Sequence, residues 1–287
     1  EFRRVLFRSL KKLHAERPKL RYSHIRRSNR QGFKAGALAE AMPAAKGELI
    51  AIFDADFVPP ADFLRSVLPI LLHEPRRAMV QTRWAHLNAE HSILTRLQAF
   101  AFDTHFSIEQ WGRSRSGAFI NFNGTAGVWR RKAIEEAGGW HTDTITEDLD
   151  LSYRAQLAGW QLHYVDHLST PAELPQAMPA IKGQQYRWNK GGAECARKNL
   201  LSVLKAPQVS LFVKLNAMSH LLTSSLFVLI LITVVVGAPI YIWHGEATYS
   251  GGWVQWTLFS FTIINILAIL SFFTSSFFYR QGWSAAN

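Results

Sequence analysis

Leu49-Ile50-Ala51-Ile52-Phe53-Asp54-Ala55-Asp56 decides the reading of the fold. Five apolar residues in a row, with polar chain on either side, are the pattern of a short strand buried on both faces. Two carboxylates follow at once, one residue apart. In open α/β sheets this is where ligands bind, beyond the carboxyl end of a strand. Pro59-Pro60 then ends the segment. Working outward, Leu20–Arg26 alternates like a strand, and Gly32–Ala45 is rich in the helix formers Ala, Leu, Lys and Glu. Ala61–Leu72 reads as a helix and Ala78–Trp84 as a strand. Such alternation predicts an α/β layered domain with a mostly parallel sheet.

Composition removes several classes of function. Of the 287 residues, 48% are hydrophobic and 18% charged, which excludes global disorder. A single cysteine, Cys195, excludes a disulfide framework and a multi-cysteine zinc site. No base or acid pattern around it marks a nucleophile. The net charge of +11 first suggests nucleic acid. However, residues 1–34 hold twelve Lys or Arg against two acids, which is +10 of that total. A nucleic-acid binder needs a distributed basic face, so no nucleic-acid partner is expected. The chain opens without Met, and Arg3, Arg4 and Arg8 interrupt any apolar leader. Residues 1–9 read as non-native or disordered flanking sequence, and the whole as a truncated piece of a longer chain.

The C-terminal third differs in kind. Leu221–Trp243 is a run of 23 residues without a charge, and Val254–Phe278 is a second of 25. Each exceeds the roughly 20 residues that cross a bilayer as a helix. Trp243, Trp253, Tyr279 and Trp283 flank the runs, as interfacial aromatics do. Lys205 and Lys214 precede the first run, and no Lys or Arg lies in the loop His244–Gly252. The positive-inside rule therefore puts the N-terminal two-thirds in the cytoplasm. The expected organisation is a domain over residues 10–193, an amphipathic interface segment over 194–212, and transmembrane helices over 213–243 and 254–279. The lipid bilayer is then a partner, and the chain an integral protein of a plasma, inner or Golgi membrane.

Four constellations carry chemistry. Asp54-Ala55-Asp56 can hold a hard divalent cation on a diphosphate, although a solvated turn uses the same residues. Gly32-Phe33-Lys34-Ala35-Gly36 opens a helix, where free N–H groups and the Lys34 ammonium favour phosphate. Glycine at a helix start for packing is the plainer alternative. Thr146-Glu147-Asp148-Leu149-Asp150 places Thr146 as N-cap of a helix to Ala158, stopped by Gly159. Acids in a first turn suit the helix dipole, and one shielded from water can also act as a general base. Gln184, Arg187 and Trp188 share a helix face, offering a phosphate fork and a flat ring for a sugar. A membrane-proximal helix using Arg and Trp as anchors fits equally. His163 and His167 lie in an alternating strand rather than a metal motif.

In this order, followed at once by membrane spans, the motifs resemble the processive family 2 glycosyltransferases, the cellulose synthase superfamily. The resemblance covers about residues 20–280. Val80-Gln81-Thr82-Arg83-Trp84, Leu94-Thr95-Arg96-Leu97-Gln98, Phe122–Arg130, Gly138-Gly139-Trp140 and Glu173-Leu174-Pro175 look like the cellulose-synthase-like A and C mannan and glucan synthases and their bacterial relatives. The resemblance implies a GT-A nucleotide-sugar-binding domain of α/β class followed by transmembrane α-helices. It implies that Lys34, Asp54, Asp56 and Arg187 bind the donor, with Asp56 on Mg²⁺ or Mn²⁺. Asp148 becomes the general base, with Glu147 beside it. Trp188, Gln184 and the Phe122-Asn123-Gly124-Thr125 segment become acceptor-binding. The donor is GDP-mannose or UDP-glucose, and the acceptor a polysaccharide or glycolipid. The expected function is inverting transfer of a hexose to a growing β-linked polymer. The rivals are a non-processive enzyme acting on a lipid, and a non-catalytic membrane scaffold. The family's earlier strand with a further acid, its N-terminal membrane helix and its additional C-terminal spans are not found in these residues.

Overall fold

The computed structural model describes residues 23–232 without a break and scattered residues on either side. The readings of residues 1–9 and of most of the second apolar run lie outside the described residues.

Four strands form one sheet in the order β1-β3-β2-β4. They are β1 (Leu49–Ile52), β2 (Arg77–His86), β3 (Gly127–Arg130) and β4 (Gln161–Ala172). β3 pairs antiparallel with both β1 and β2, while β2 and β4 pair in parallel. The expected mostly parallel sheet is thus corrected to a mixed one. β1, β2 and β4 do run the same way, and β3 is threaded between β1 and β2 in the opposite sense. Residues 93–116 between β2 and β3 are helical, but the chain then runs through the irregular segment 118–126 and enters β3 from the end that makes it antiparallel to β2. No strand forms at residues 23–26.

Period-two alternation sorts the sheet's side chains onto two faces. Val80 and Val128 meet Phe63, Val67 and Leu71 of α2 (Phe63–His73), three buried residues at i, i+4 and i+8. Met79 and Trp129 point the other way, into Ile134 of α5 (Arg131–Glu136) and Leu151 and Ala155 of α6 (Glu147–Leu157). Helices on both faces leave the ends of the strands as the accessible edge. α1 (Phe33–Ala41), α3 (Ile93–Thr104) and α4 (Trp111–Ser116) complete the surround, with a π-helical turn at His105–Gln110 joining α3 to α4.

α7 (Met178–Lys205) is a single helix of 28 residues. The boundary expected at residue 194 falls inside it, because Cys195, Ala196, Asn199 and Val203 are buried against the domain. After a turn, α8 (Leu211–Leu221) packs back through Ala217 and Leu221, and Tyr153 Oη bonds His220 Nδ1 at 2.8 Å. A 3₁₀ turn at Leu222–Ser224 interrupts the expected span, and helix resumes to Ile232. Leu211–Ile232, 22 residues, is the one stretch among the described residues long and apolar enough to cross a membrane. Leu226 to Ile232 are all exposed.

Candidate active site

Because β1, β2 and β4 run together, their carboxyl ends meet at one edge. Asp54 follows β1, His86 ends β2 and Ala172 ends β4, and all three line one cleft of about 870 Å³. The segment after the two aspartates is tied to β4 by a Phe57–Ala172 bridge and by the Val58 N–H donating to Pro171 O at 2.9 Å.

Lys34, one residue into α1, reaches across this edge. Its Nζ lies 2.5 Å from Asp54 Oδ1 and 2.9 Å from Gly124 O. The Asp54 N–H donates to Thr125 Oγ1 at 2.9 Å, so the 123–125 segment holds both ends of the ion pair. Gly124 has φ +82°, and a Cβ there would sit 2.9 Å from Asp148 Oδ2 and 3.5 Å from Lys34 Nζ. Only glycine lets the two charged groups close over that backbone. Asp54, Lys34, Gly124 and Asp148 therefore form one contiguous floor. Asp56 is exposed on the cleft wall nearby.

Glu147 and Asp148 open α6. Thr146 stands at its N-cap, but its side chain does not cap; Oγ1 turns 3.4 Å to Cys195 Sγ, and Asp148 Oδ1 accepts the Leu149 N–H at 2.8 Å. Loss of hydration pushes the Glu147 carboxyl up to about 7, helped by the charge of Asp148 and opposed by Lys34. Loss of hydration also raises Asp148, against the Leu149 N–H and Lys34. Two water-deprived carboxyls within the field of a lysine are placed for proton transfer. Cys195 is buried and its thiol is pushed up to about 12, chiefly by burial, so it is no nucleophile.

The opposite wall is aromatic. Phe102 meets Trp188 at 5.7 Å, Trp84 at 5.9 Å and His86 at 5.7 Å, and Phe57 meets Trp84 at 5.2 Å. Gln184, Arg187 and Trp188 line the cleft from one face of α7. Trp84 Nε1 and Gln184 Oε1 are buried without a hydrogen-bond partner among the described residues, and His86 Nε2 only approaches Asp103 Oδ1 at 3.6 Å. The Glu173-Leu174-Pro175 segment is pinned beside them. Asn88 takes the Leu174 N–H (2.8 Å) and donates to its carbonyl (2.9 Å), and Gln98 donates to Pro175 O at 2.9 Å.

Lys34, Asp54, Asp56, Asn123, Gly124, Glu147, Asp148, Gln184, Arg187 and Trp188 all line this cleft. Phe122 and Thr125 do not. Phe122 is fully buried against Trp129 at 5.7 Å, its N–H on Ser152 Oγ, and Thr125 is turned inward onto Asp54. Both support the floor from behind rather than lining the cleft. Phe57, His86 and Phe102 escaped the sequence reading. For His86 a signal existed: β2 alternation puts it on the same side as Trp84.

A second acid cluster, His141, Asp143 and Asp150, brings its ligand atoms within 4.8 Å of one another. Lys198 Nζ already sits among them, at 2.7 to 3.1 Å.

The model of the glycosyl transferase family group 2 matches residues 49–274. The chain belongs to this family. Curated members similar to it include the probable glucomannan 4-beta-mannosyltransferase 7 of Oryza sativa subsp. japonica, 49% identical over 194 residues, 67% of this chain and 33% of the relative. Glucomannan 4-beta-mannosyltransferase 7 of Arabidopsis thaliana is 46% identical over 191 residues, covering 66% and 34%. The chain spans about a third of the length of these relatives. Among solved structures, the mannosyltransferase PcManGT from Pyrobaculum calidifontis, in complex with GDP-Man and Mn²⁺, superposes with TM-score 0.54 at 16% identity, over 93% of this chain and 71% of that one. S. aureus TarS does so with TM-score 0.50 at 12% identity, over 76% and 58%. The family 2 domain here therefore has the GT-A fold with a mixed sheet.

Proposed function

We propose that this family 2 enzyme is a membrane-bound, inverting β-glycosyltransferase that adds mannose from GDP-mannose to a growing polysaccharide, with UDP-glucose as the alternative donor. The reading is carried by one arrangement: the Glu147–Asp148 pair meets the Lys34–Asp54 ion pair across Gly124, in a cleft whose far wall is aromatic. Aromatic faces beside unpaired polar atoms, here Trp84 Nε1 and Gln184 Oε1, suit a sugar, which offers apolar ring faces and hydroxyl edges. The names of the similar plant proteins favour mannose over glucose.

Donor charge meets Lys34 on the floor and Arg187 on the wall, which stabilise the negative charge that grows on the leaving diphosphate. Asp54 and Asp56 present only carboxylate oxygen, the donor type that Mg²⁺ and Mn²⁺ take, and they fit such an ion beside the donor. Bound there, the ion would add positive charge on the diphosphate. Trp188 and Gln184 orient the acceptor sugar. Asp148 takes the proton of the acceptor hydroxyl as its oxygen bonds the anomeric carbon. The bond from that carbon to the diphosphate oxygen breaks, and the diphosphate leaves with the electron pair. One displacement inverts the centre, so an α-linked donor gives a β-linked product.

The test is stereochemical. Product made from GDP-mannose by membranes carrying the protein is expected to be cut by an endo-β-mannanase and to show β-anomeric proton signals. An α-linked product would contradict the single displacement.

A further inference from the structure

His141, Asp143 and Asp150 form an N/O donor set of the type that divalent metals take. The chain fills it with its own cation. Lys198 Nζ lies 2.7 Å from Asp143 Oδ1, 3.0 Å from His141 Nδ1 and 3.1 Å from Asp150 Oδ2. An ammonium has three donors, and all three find acceptors here. The His141 Nε2–H donates to Gly138 O at 3.2 Å, which leaves Nδ1 to accept from Lys198. Asp150 is fully buried, and Arg154 Nε (2.8 Å) and Asn199 Nδ2 (3.0 Å) complete its shell.

The position matters more than the charge. Asp150 lies in the first turn of α6, two residues after Asp148. Along α7, Gly191 abuts the Thr146 side chain, Glu194 Oε2 accepts the Ile145 N–H at 2.8 Å, and Lys198 takes the cluster. Successive turns of one helix thus grip residues 141–150, the stretch that carries the acid pair. Further up the same helix stand Gln184, Arg187 and Trp188.

We propose that Lys198 is a positioning residue: its ammonium stands where a metal could sit and fixes the Glu147–Asp148 segment on α7, which sets the acid pair against the Gln184–Trp188 wall. The kinetic consequence rests on the glycosyl-transfer reading above; the filling of the cluster by a lysine does not. With Lys198 in place, this cluster does not hold a donor metal.

Two measurements test it on the full chain in membranes or detergent. Lys198→Met is expected to lower kcat by about tenfold to a hundredfold, as small misplacements of a catalytic group do, with the KM for the nucleotide-sugar within about twofold. Lys198→Arg is expected to recover most of the loss. Unchanged kcat in Lys198→Met, or an Arg variant as poor as the Met one, overturns the positioning role. The second measurement needs no activity, and it decides the matter if the Met variant does not fold. Zn²⁺ alone should raise the melting temperature of Lys198→Ala, but not that of the native protein or of His141→Ala/Lys198→Ala. An equal response in all three overturns the account of Lys198 as a built-in cation. No transfer by the native protein from either donor would sink the glycosyl-transfer reading, and the zinc comparison would still decide whether Lys198 fills the cluster.

Discussion

A carboxyl deprived of water holds its proton longer, and at Glu147 and Asp148 this sets the pH behaviour of the whole site. The two titrate as a pair, with Glu147 near 7 and Asp148 raised. A base must be deprotonated, and Asp148 is raised, so transfer is expected to fall at a higher pH than the roughly 4 at which an ordinary carboxylate would lose its activity. A rate profile flat down to pH 5 would contradict the burial of the pair. The stability sign is the reverse. The folded state binds these protons more tightly than the unfolded chain, so their burial costs most above pH 7. Glu147→Gln should therefore melt above the native protein at pH 8, with the gap closing toward pH 5, as paired thermal scans would show. Gly124→Ala places a methyl against Asp148 at φ +82°. It should cost about 1 kcal/mol or more in stability and remove transfer while leaving the fold by circular dichroism. The residues of this site were legible in sequence where chemistry and position coincide, as at Asp54 after a strand and Asp148 in a first helical turn. Phe122 was not, because a run such as Phe122–Thr125 does not show which of its side chains turn inward.

At the scale of elements, β3 sets the order of the sheet. Trp129 is fully buried in this middle strand, between Phe122 and the α5 and α6 helices. Trp129→Ala is expected to cost about 3–5 kcal/mol in chemical denaturation; a loss below about 1 kcal/mol would contradict its place in the core. Strand direction was the part that sequence reading missed. Alternating strand and helix signals do not by themselves fix strand direction: residues 93–116 between β2 and β3 are helical, and the irregular segment 118–126 still brings the chain into β3 antiparallel. The position of the cleft was still legible, because β1, β2 and β4 keep a common direction and the carboxyl-end rule needs nothing more. The mixed charged and apolar residues of 194–205 suggest a separate interface segment. In the fold, that mixture is one helix with Cys195, Asn199 and Val203 inward and Arg197 outward.

For the molecule as a whole, α7 leads from the catalytic domain through a short turn into the apolar stretch Leu211–Ile232, whose first part is α8. Leu226, Phe227 and Leu231 are exposed on this stretch. The protein is expected to stay with membranes through an alkaline carbonate wash and to leave them only in detergent; release by carbonate would contradict the spanning reading. The concentration of charge in residues 1–34 belongs to the same picture. It leads in sequence into Lys34, which the fold turns onto Asp54 at the cleft. The central claim is that the Lys34–Asp54 floor and the Glu147–Asp148 pair transfer mannose. It is tested most directly with membranes carrying the native protein or Asp148→Asn, given radiolabelled GDP-mannose with Mg²⁺ or Mn²⁺. Labelled polymer is expected from the native protein, and transfer lowered by about a hundredfold or more in Asp148→Asn with GDP-mannose binding retained. Undiminished transfer by Asp148→Asn, or no labelled polymer or glycolipid from the native protein, would contradict it.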